Sequence, residues 1–578
     1  MKKYWKYFEE FYRNKWYVFI LIMTALCSYG FIVTHPTVGI DDTPYDYYFE
    51  EGLAAIVGRW VMFLLNKIVR VSDFAPFITD FVGVLIMMVA VTVWAALLKS
   101  VLEDAVPWYG YLFFAAIFLS CPLISEVFTY YLHNGIAIGY LGCGVSLCCF
   151  REGLIRMEEQ SGRKWVPGWQ AVKLFLGAAV GMWIGMGCYE SFMIVWLQGL
   201  CLLLLVERFA GVRRNVFHSL CIGAVVAVLG MIMRSVMINL VTAVFHLEYL
   251  KDDAVQRSIG EMAGWIFEPG AMSELAMLLK RMYVMYGVFA YAYFPIKIFL
   301  LAAVVIGLLG VWRAVKGKDL WTFLLMFGGL AVPLLLVVIE GKATYYRSAQ
   351  FLPVVCGFGA LLAVYVVFNL KGISERKPEQ RQNAKTKQKL ASSGKRVITV
   401  VRSFTIFVLC VVLWNQCADM NKWFYVDYLK YESAKDLTGR IYSELEHNYD
   451  TNKPVVFTGT YEIPQSIIAD AYVPIGSETY FKMKRLTDPV DEHLLEKFYR
   501  SYGVWVAQTP ALSVIDWARY AFETNEEMVR FFEMHGYEIQ PLLDKSVYSV
   551  AEEYSVDLPN FPQEGSIVDM GEYIIVHL

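Results

Sequence analysis

The sequence predicts a mainly α, polytopic membrane protein: a bundle of about eleven transmembrane helices followed by a C-terminal α/β domain. Three observations predict it. Hydrophobic residues make up 57% of the 578-residue chain and charged ones only 18%, where a soluble domain is about one quarter charged. Mean hydropathy is correspondingly high, at +0.45. Apolar runs long enough to cross a hydrocarbon core of roughly 30 Å recur along most of the chain. Aromatic residues to anchor both interfaces are plentiful, with 38 Phe, 37 Tyr and 16 Trp. The 54 acidic and 51 basic residues nearly cancel, so no basic face for nucleic acid is expected. The same apolar content excludes a disordered chain.

Residues 1–15 form a polar-aromatic N-terminal segment. Spans are expected near 16–34, 77–98, 108–125, 134–150, 170–187, 190–206, 217–245, 295–312, 320–339, 351–370 and 397–415. The first is followed by His35 and Pro36 with no small-residue cleavage pattern, so it reads as an anchor and not a signal peptide. Long loops at 35–76 and 246–294 carry amphipathic stretches of the kind that lie along a membrane surface. Lys and Arg cluster in alternate connections: Lys2, Lys3, Lys6, Arg13 and Lys15; Arg151, Arg156, Arg163 and Lys164; Arg208, Arg213 and Arg214; Arg313, Lys316 and Lys318; and a basic linker at 371–396 that reads as disordered. By the positive-inside rule these face the cytoplasm. The transmembrane domain, 16–415, then has its N-terminus cytoplasmic, and an odd number of spans places 416–578 outside. In that external domain 453–459 and 503–510 read as strands, and 525–541 as a helix, a Gly turn and a strand, which suggests a small α/β unit. None of the eleven cysteines lies beyond Cys417, so this domain has no disulfide framework.

The strongest chemical constellation is HPTVGIDDTPYDYYFEEG at 35–52, followed by GRW at 58–60. Asp41 and Asp42 come directly after the first span, with Asp46, Glu50 and Glu51 close behind. Paired carboxylates beside low dielectric raise one another's proton affinity, which suits a general base, or they hold a divalent cation. A solvated acidic loop is the plain alternative. Glu126, His133 and Asn134 flank the next external turn. Glu190 sits in the tight turn between the fifth and sixth spans, and Lys342, Tyr345, Tyr346 and Arg347 lie between the ninth and tenth. All fall on the face expected to carry the Asp pair. Each has a structural alternative: interfacial snorkelling for Lys342 and Arg347, a helix N-terminal charge for Glu190. Arg234, inside the seventh span, needs an acidic partner or a water-filled cavity. Carboxylates and cations gathered on one face fit a phosphate-linked lipid donor, with carboxylate activating the acceptor and cations holding the leaving phosphate. No phosphate-binding GxxxxGK[ST], GxSxG or HExxH motif competes.

The external Asp pair, the following GRW, the turn YES at 189–191 and the R-S…P pattern at 347–353 resemble the bacterial membrane glucosyltransferases of the O-antigen Gtr type II family, within the broader GT-C class. The resemblance covers about residues 10–415, and the turn departs from the family by carrying Glu190 where Gln is usual. It implies a GT-C bundle with a catalytic Asp in the first external loop, in the plasma membrane. It implies a sugar, glucose, carried on polyprenyl phosphate, made by a separate cytoplasmic synthase and delivered by a flippase. Transfer to an external glycan or glycolipid would invert the anomeric centre. Asp41 or Asp42 would be the base, the other supporting it or a metal such as magnesium or manganese. Arg347 and Lys342 would hold donor phosphate, and Arg59 would either touch it or pair with the acidic loop. Glu50, Glu126, His133, Glu190, Tyr345, Tyr346 and Arg234 would line the substrate pocket. A lipid-linked sugar flippase or polysaccharide exporter without covalent chemistry is the competing reading, but it predicts polar groups lining the whole bilayer path. A scaffold whose external domain binds wall glycan is a third.

Overall fold

In lipid a backbone must satisfy its own polar groups, and helices do so within one segment. The computed structural model describes residues 1–37, 52–70, 77–128, 133–161, 167–247, 264–276, 298–335, 338, 348–369, 384–459, 461–462, 476–478, 516–517, 525–542 and 544–578. Its helices run α1 Lys2–Arg13, α2 Lys15–Thr34, α3 Leu53–Ile56, α4 Trp60–Val69, α5 Ile78–Leu102, α6 Trp108–Leu119, α7 Ser125–Phe128, α8 His133–Ser161, α9 Trp169–Cys188, α10 Phe192–Phe209, α11 Val216–Val244, α12 Ile298–Gly317, α13 Leu320–Ala331, α14 Leu352–Asn369 and α15 Ala384–Asn448.

Among the described residues eight helices are long and apolar enough to cross a membrane. α12, 20 residues long, falls on the eighth expected span. At the third and ninth positions the helices are shorter than the apolar runs suggest. α6 and α13 have 12 residues each, about 18 Å of rise against a core of roughly 30 Å. Pro122 opens a tighter turn after α6, and α13 stops just short of Pro333, which has no N–H to continue the helical hydrogen-bond ladder. The amphipathic stretch of the 35–76 loop is not one continuous helix. It breaks at Gly58 into α3 and α4, which bury Ala54, Ala55, Trp60, Met62 and Phe63.

The chain divides into two compact units: Met1–Gly30, Gly52–Ile124 and Leu132–Met420, and Phe31–Glu51, Ser125–Tyr131 and Asn421–Leu578. In the first, α2 turns Phe19, Ile22, Met23 and Leu26 outward, and α11 turns Val225, Val228, Ile232, Val236 and Leu240. Such helix-spaced apolar stripes are lipid-facing in a membrane protein. Its interior is aromatic. Trp94, Phe118, Tyr140, Phe192 and Trp196 are fully buried, and Tyr140 meets Phe118 and Phe192 edge to face at 4.9 and 5.0 Å. Their polar atoms are satisfied inside. Trp94 Nε1 donates to the Tyr140 carbonyl at 2.9 Å, Trp196 Nε1 to Ser146 Oγ at 2.7 Å, and Tyr140 Oη to the Gln350 carbonyl at 2.6 Å. α8 and α9 approach closely through Gly142 and Gly181, where an added Cβ would meet the facing carbonyl oxygen at 2.9 Å.

One end of this unit collects ion pairs. The N-terminal amine meets Glu152 at 3.4 Å, Lys3 meets Glu103 at 2.7 Å, Lys99 meets Glu10, and Arg208 meets Asp319. The segments that the charge pattern assigns to one side of the membrane are thus joined at one end of the bundle.

In the second unit the later part of α15 packs on a four-stranded sheet ordered β4-β1-β6-β5. The strands are β1 Pro454–Thr458, β4 Gln540–Pro541, β5 Ile567–Asp569 and β6 Ile574–His577; β2 Tyr461–Glu462 and β3 Asp516–Trp517 pair separately. β1 is parallel to both neighbours, with Val455 opposite Ile574 and Phe457 opposite Val576. Alternation along β1 fills both faces. Val455 and Phe457 pack with Leu437 and Ile441 of α15 and Phe531 and Phe532 of α16 Asn525–Met534. Val456 packs with Ile575 and with Ala551 of α17 Lys545–Ser555. The expected strand at 453–459 and the helix, Gly turn and strand at 525–541 are present, with Gly536 in the left-handed region at φ 83°. The expected strand at 503–510 lies outside the described residues.

Candidate active site

Arg59, Glu190 and Arg234 are brought together from three places in the chain. Gly58 and Arg59 form the break between α3 and α4. Tyr189, Glu190 and Ser191 form the turn from α9 into α10. Arg234 comes from within α11. The break exists because Gly58 adopts φ 97°, a left-handed conformation that costs little only for glycine. The missing side chain also makes room: a Cβ there would lie 1.7 Å from Arg234 Nη2. That guanidinium donates to the Val57 carbonyl at 3.0 Å, and its Nε has no hydrogen-bond partner among the described residues.

Arg59 spans Glu190 with both arms, Nε to Oε2 at 3.4 Å and Nη2 to Oε1 at 3.3 Å. Its guanidinium also lies over the Tyr189 ring, 4.3 Å from the centroid, a cation–π arrangement. Trp60, one residue on, stacks on Trp183 at 4.5 Å. Gly187 lies one turn further along α9 and leaves room for the Trp60 indole, which an added Cβ would meet at 2.5 Å. The break is therefore clamped onto α9 by an aromatic pair, and Arg59 is delivered to the turn.

Desolvation disfavours the Glu190 carboxylate, but the charge of Arg59 and its hydrogen bonds, aided by the charge of Arg234, hold the group below the usual carboxylate range. Glu190 is thus an anion at neutral pH, although 48% of its side chain remains exposed. Among the described residues, two cations, Arg59 and Arg234, stand about one anion, Glu190. A second anion can settle there, and the exposed edge gives it a way in. Tyr189 Oη also lies 3.4 Å from Ser348 Oγ, which brings the end of the connection before α14 to this turn.

Asp41, Asp42, Glu50, Lys342, Tyr345, Tyr346 and Arg347 lie outside the described residues, as do the side chains of Glu126 and His133. Of the expected site residues, then, Arg59, Glu190 and Arg234 are described and meet. Gly58, Trp60, Tyr189 and Ser348 belong to the short motifs GRW, YES and R-S, whose residue types do not by themselves give these side chains a role. Trp183 had no motif; its signal is the four-residue spacing to Gly187, which places both on the face of α9 that receives Trp60. Among the described residues no three His, Cys, Asp or Glu side chains gather as a metal site.

The family description "Glucosyl transferase GtrII" matches residues 30–364, more than half of the chain. The chain belongs to the GtrII glucosyl transferase family. Membership of that family favours the enzyme reading over the exporter. No curated protein sequence matches it. Among solved structures it is similar to the apo oligosaccharyltransferase of Archaeoglobus fulgidus, at 10% identity and a TM-score of 0.35, covering 78% of this chain and 63% of that one. It is also similar to AglB, an oligosaccharyltransferase of the same organism in complex with an inhibitory peptide and a dolichol-phosphate, at 11% identity and a TM-score of 0.36, covering 77% and 62%. The chain thus spans less than two thirds of the length of either.

For this GtrII member, Gly58→Ala is expected to slow sugar transfer by about 10- to 100-fold, the scale of a misplaced binding group. The new methyl displaces Arg234 and strains the break that delivers Arg59. Initial rates on protein that elutes as a folded species check this; an unchanged rate would mean that Arg234 does not need its present position.

Proposed function

We propose that the protein moves glucose from polyprenyl-phosphate-glucose to an external glycan or glycolipid, with inversion at the anomeric carbon. The observation that carries this reading is the convergence of two guanidiniums, Arg59 and Arg234, on the half-exposed Glu190 turn, in a chain of a glucosyl transferase family. Phosphate leaves readily when cations meet its charge, so the leaving side needs little acid catalysis. Arg347 and Lys342 join Arg59 on the donor phosphate. Ser348, next to Arg347 in sequence, lies against Tyr189 and supports that grouping.

Asp41 or Asp42 takes the proton from the acceptor hydroxyl. The new oxygen–carbon bond forms on the face opposite the phosphate, the carbon–oxygen bond to phosphate breaks, and polyprenyl phosphate departs with the electron pair. Glu50, Glu126, His133, Glu190, Tyr345, Tyr346 and Arg234 line the sugar and acceptor. The Asp pair offers the hard oxygen donors that suit magnesium or manganese, and such an ion would add positive charge beside the phosphate. The N-terminus is cytoplasmic in this reading, the 416–578 domain external and the membrane the plasma membrane. A cytoplasmic synthase and a flippase supply the donor.

Proteoliposomes holding the full chain and an acceptor, given labelled polyprenyl-phosphate-glucose or UDP-glucose, test the reading. Label is expected in the acceptor from the lipid donor alone, with the opposite anomeric configuration by NMR. Equal transfer from UDP-glucose, or movement of the lipid across the bilayer with no new glycosidic bond, refutes it.

A further inference from the structure

A cavity of about 710 Å³ opens where α10 ends, α11 begins and α12 turns into α13. It lies far from the candidate active site. Glu190 precedes α10 and Arg208 stands near its other end, and 18 residues of helix separate the two by roughly 27 Å. Four arginines line it, Arg208, Arg213, Arg214 and Arg313, with Asp319 as the acidic member of the wall.

Pairing leaves a surplus of positive charge. Arg208 is matched by Asp319, to which its Nε donates at 2.9 Å. Arg214 is matched by Glu158 and Glu207, each at 2.7 Å. Arg213 is exposed and has no ion pair among the described residues. Arg313 makes only neutral contacts there, donating to the Phe209 carbonyl at 3.4 Å and to Tyr365 Oη at 3.3 Å. Two full positive charges therefore face the cavity uncompensated. Asn215, also in the wall, caps the N-terminus of α11, whose dipole adds in the same sense. Close in sequence to the lining residues, three large apolar side chains are exposed: Phe217 at 52%, Val315 at 72% and Leu320 at 68%. A basic cavity at the end of a membrane bundle, with exposed apolar side chains on the same helix ends, suits a phosphodiester that carries acyl chains better than a free anion.

We propose that this cavity is a binding site for the headgroup of an anionic phospholipid, distinct from the donor site. Arg213 and Arg313 hold the phosphate, and the acyl chains lie along the exposed apolar side chains. The assignment is independent of the donor and acceptor proposed above. On the charge pattern this end of the bundle is the cytoplasmic one, so the lipid comes from the inner leaflet.

Delipidated full-length protein in detergent, titrated with phosphatidylglycerol, phosphatidylcholine or inorganic phosphate and read by native mass spectrometry, tests the site. Phosphatidylglycerol is expected to bind and phosphatidylcholine not. At about fivefold per arginine, Arg213→Gln alone weakens phosphatidylglycerol binding by that factor, and Arg213→Gln with Arg313→Gln weakens it by about 25-fold. Lys173→Gln, an exposed control on α9, leaves it unchanged. The single Arg213 variant, at an exposed position, keeps the test valid should the double variant fail to fold. Equal binding of the two lipids, or undiminished phosphatidylglycerol binding in both arginine variants, overturns the proposal. Inorganic phosphate that binds as tightly as phosphatidylglycerol and displaces it assigns the cavity to a soluble anion and overturns the lipid.

Discussion

Asp41→Asn with Asp42→Asn is expected to lower glucose transfer by about two to four orders of magnitude, the usual contribution of a positioned general base. Asparagine keeps the size and hydrogen-bonding outline of aspartate, so the change removes proton affinity and negative charge while altering packing little. Without a base, an acceptor hydroxyl must attack while still holding its proton, and the phosphate's readiness to leave does not compensate. The single variants divide the roles. If one Asp is the base and the other supports it, one single change reproduces the full loss and the other gives a partial one. If the pair instead holds a cation, both singles fall similarly and added magnesium or manganese restores part of the rate. Initial rates with labelled lipid donor, on membranes with matched protein levels, separate these outcomes. A double variant with full activity removes the catalytic assignment.

The fold was legible where each residue reports separately on its surroundings. Transfer of an apolar side chain into lipid depends little on its partners, so α2, α5, α9–α11 and α14 appear in the sequence as hydrophobic runs with nearly their observed bounds, while α8 continues to Ser161, past the end of its apolar run at 150. Hydropathy fails where backbone geometry decides. The runs over α6 and α13 are long enough on paper, but Pro122 and Pro333 shorten the helices they form. The amphipathic stretch in the 35–76 loop does not show its break at Gly58, whose positive φ and missing Cβ matter only because Arg234 comes from 176 positions later. Charge pairing was the least legible property. Any Glu can answer any Arg, so the sequence named Arg59, Glu190 and Arg234 as unusual but left open which of them would meet. Trp183 shows the same limit: an indole in an apolar helix reads as packing until the ring it stacks on is known.

Glu207→Gln should produce the largest loss of stability among single substitutions at the basic end of the bundle, about 3–5 kcal/mol, the range for breaking a buried ion pair from one side. The Glu207 side chain is 1% exposed and stands between two buried guanidiniums, Arg151 Nε at 2.7 Å and Arg214 Nη1 at 2.7 Å. Arg151 also donates to Ser100 Oγ at 3.0 Å and Tyr4 Oη at 3.3 Å. One carboxylate thus ties together α1, α5, α8, α10 and the start of α11. Glutamine retains the shape but leaves Arg151 without its carboxylate and facing Arg214, which keeps only Glu158, in a setting too dry to screen the two charges. The exposed pair of Arg156 and Glu159, at 3.2 Å, provides the contrast: Glu159→Gln should cost at most about 1 kcal/mol, because water screens both partners. Unfolding of the two variants in detergent, followed by heat or denaturant, reads the difference. The consequence reaches the candidate active site, because α10 carries Glu207 near one end and follows the Glu190 turn at the other. If the network fixes the position of α10, Glu207→Gln loosens the seat of Arg59 and transfer falls at temperatures where the protein is still folded. A variant that melts with the wild type would show that α10 is held by its apolar faces alone.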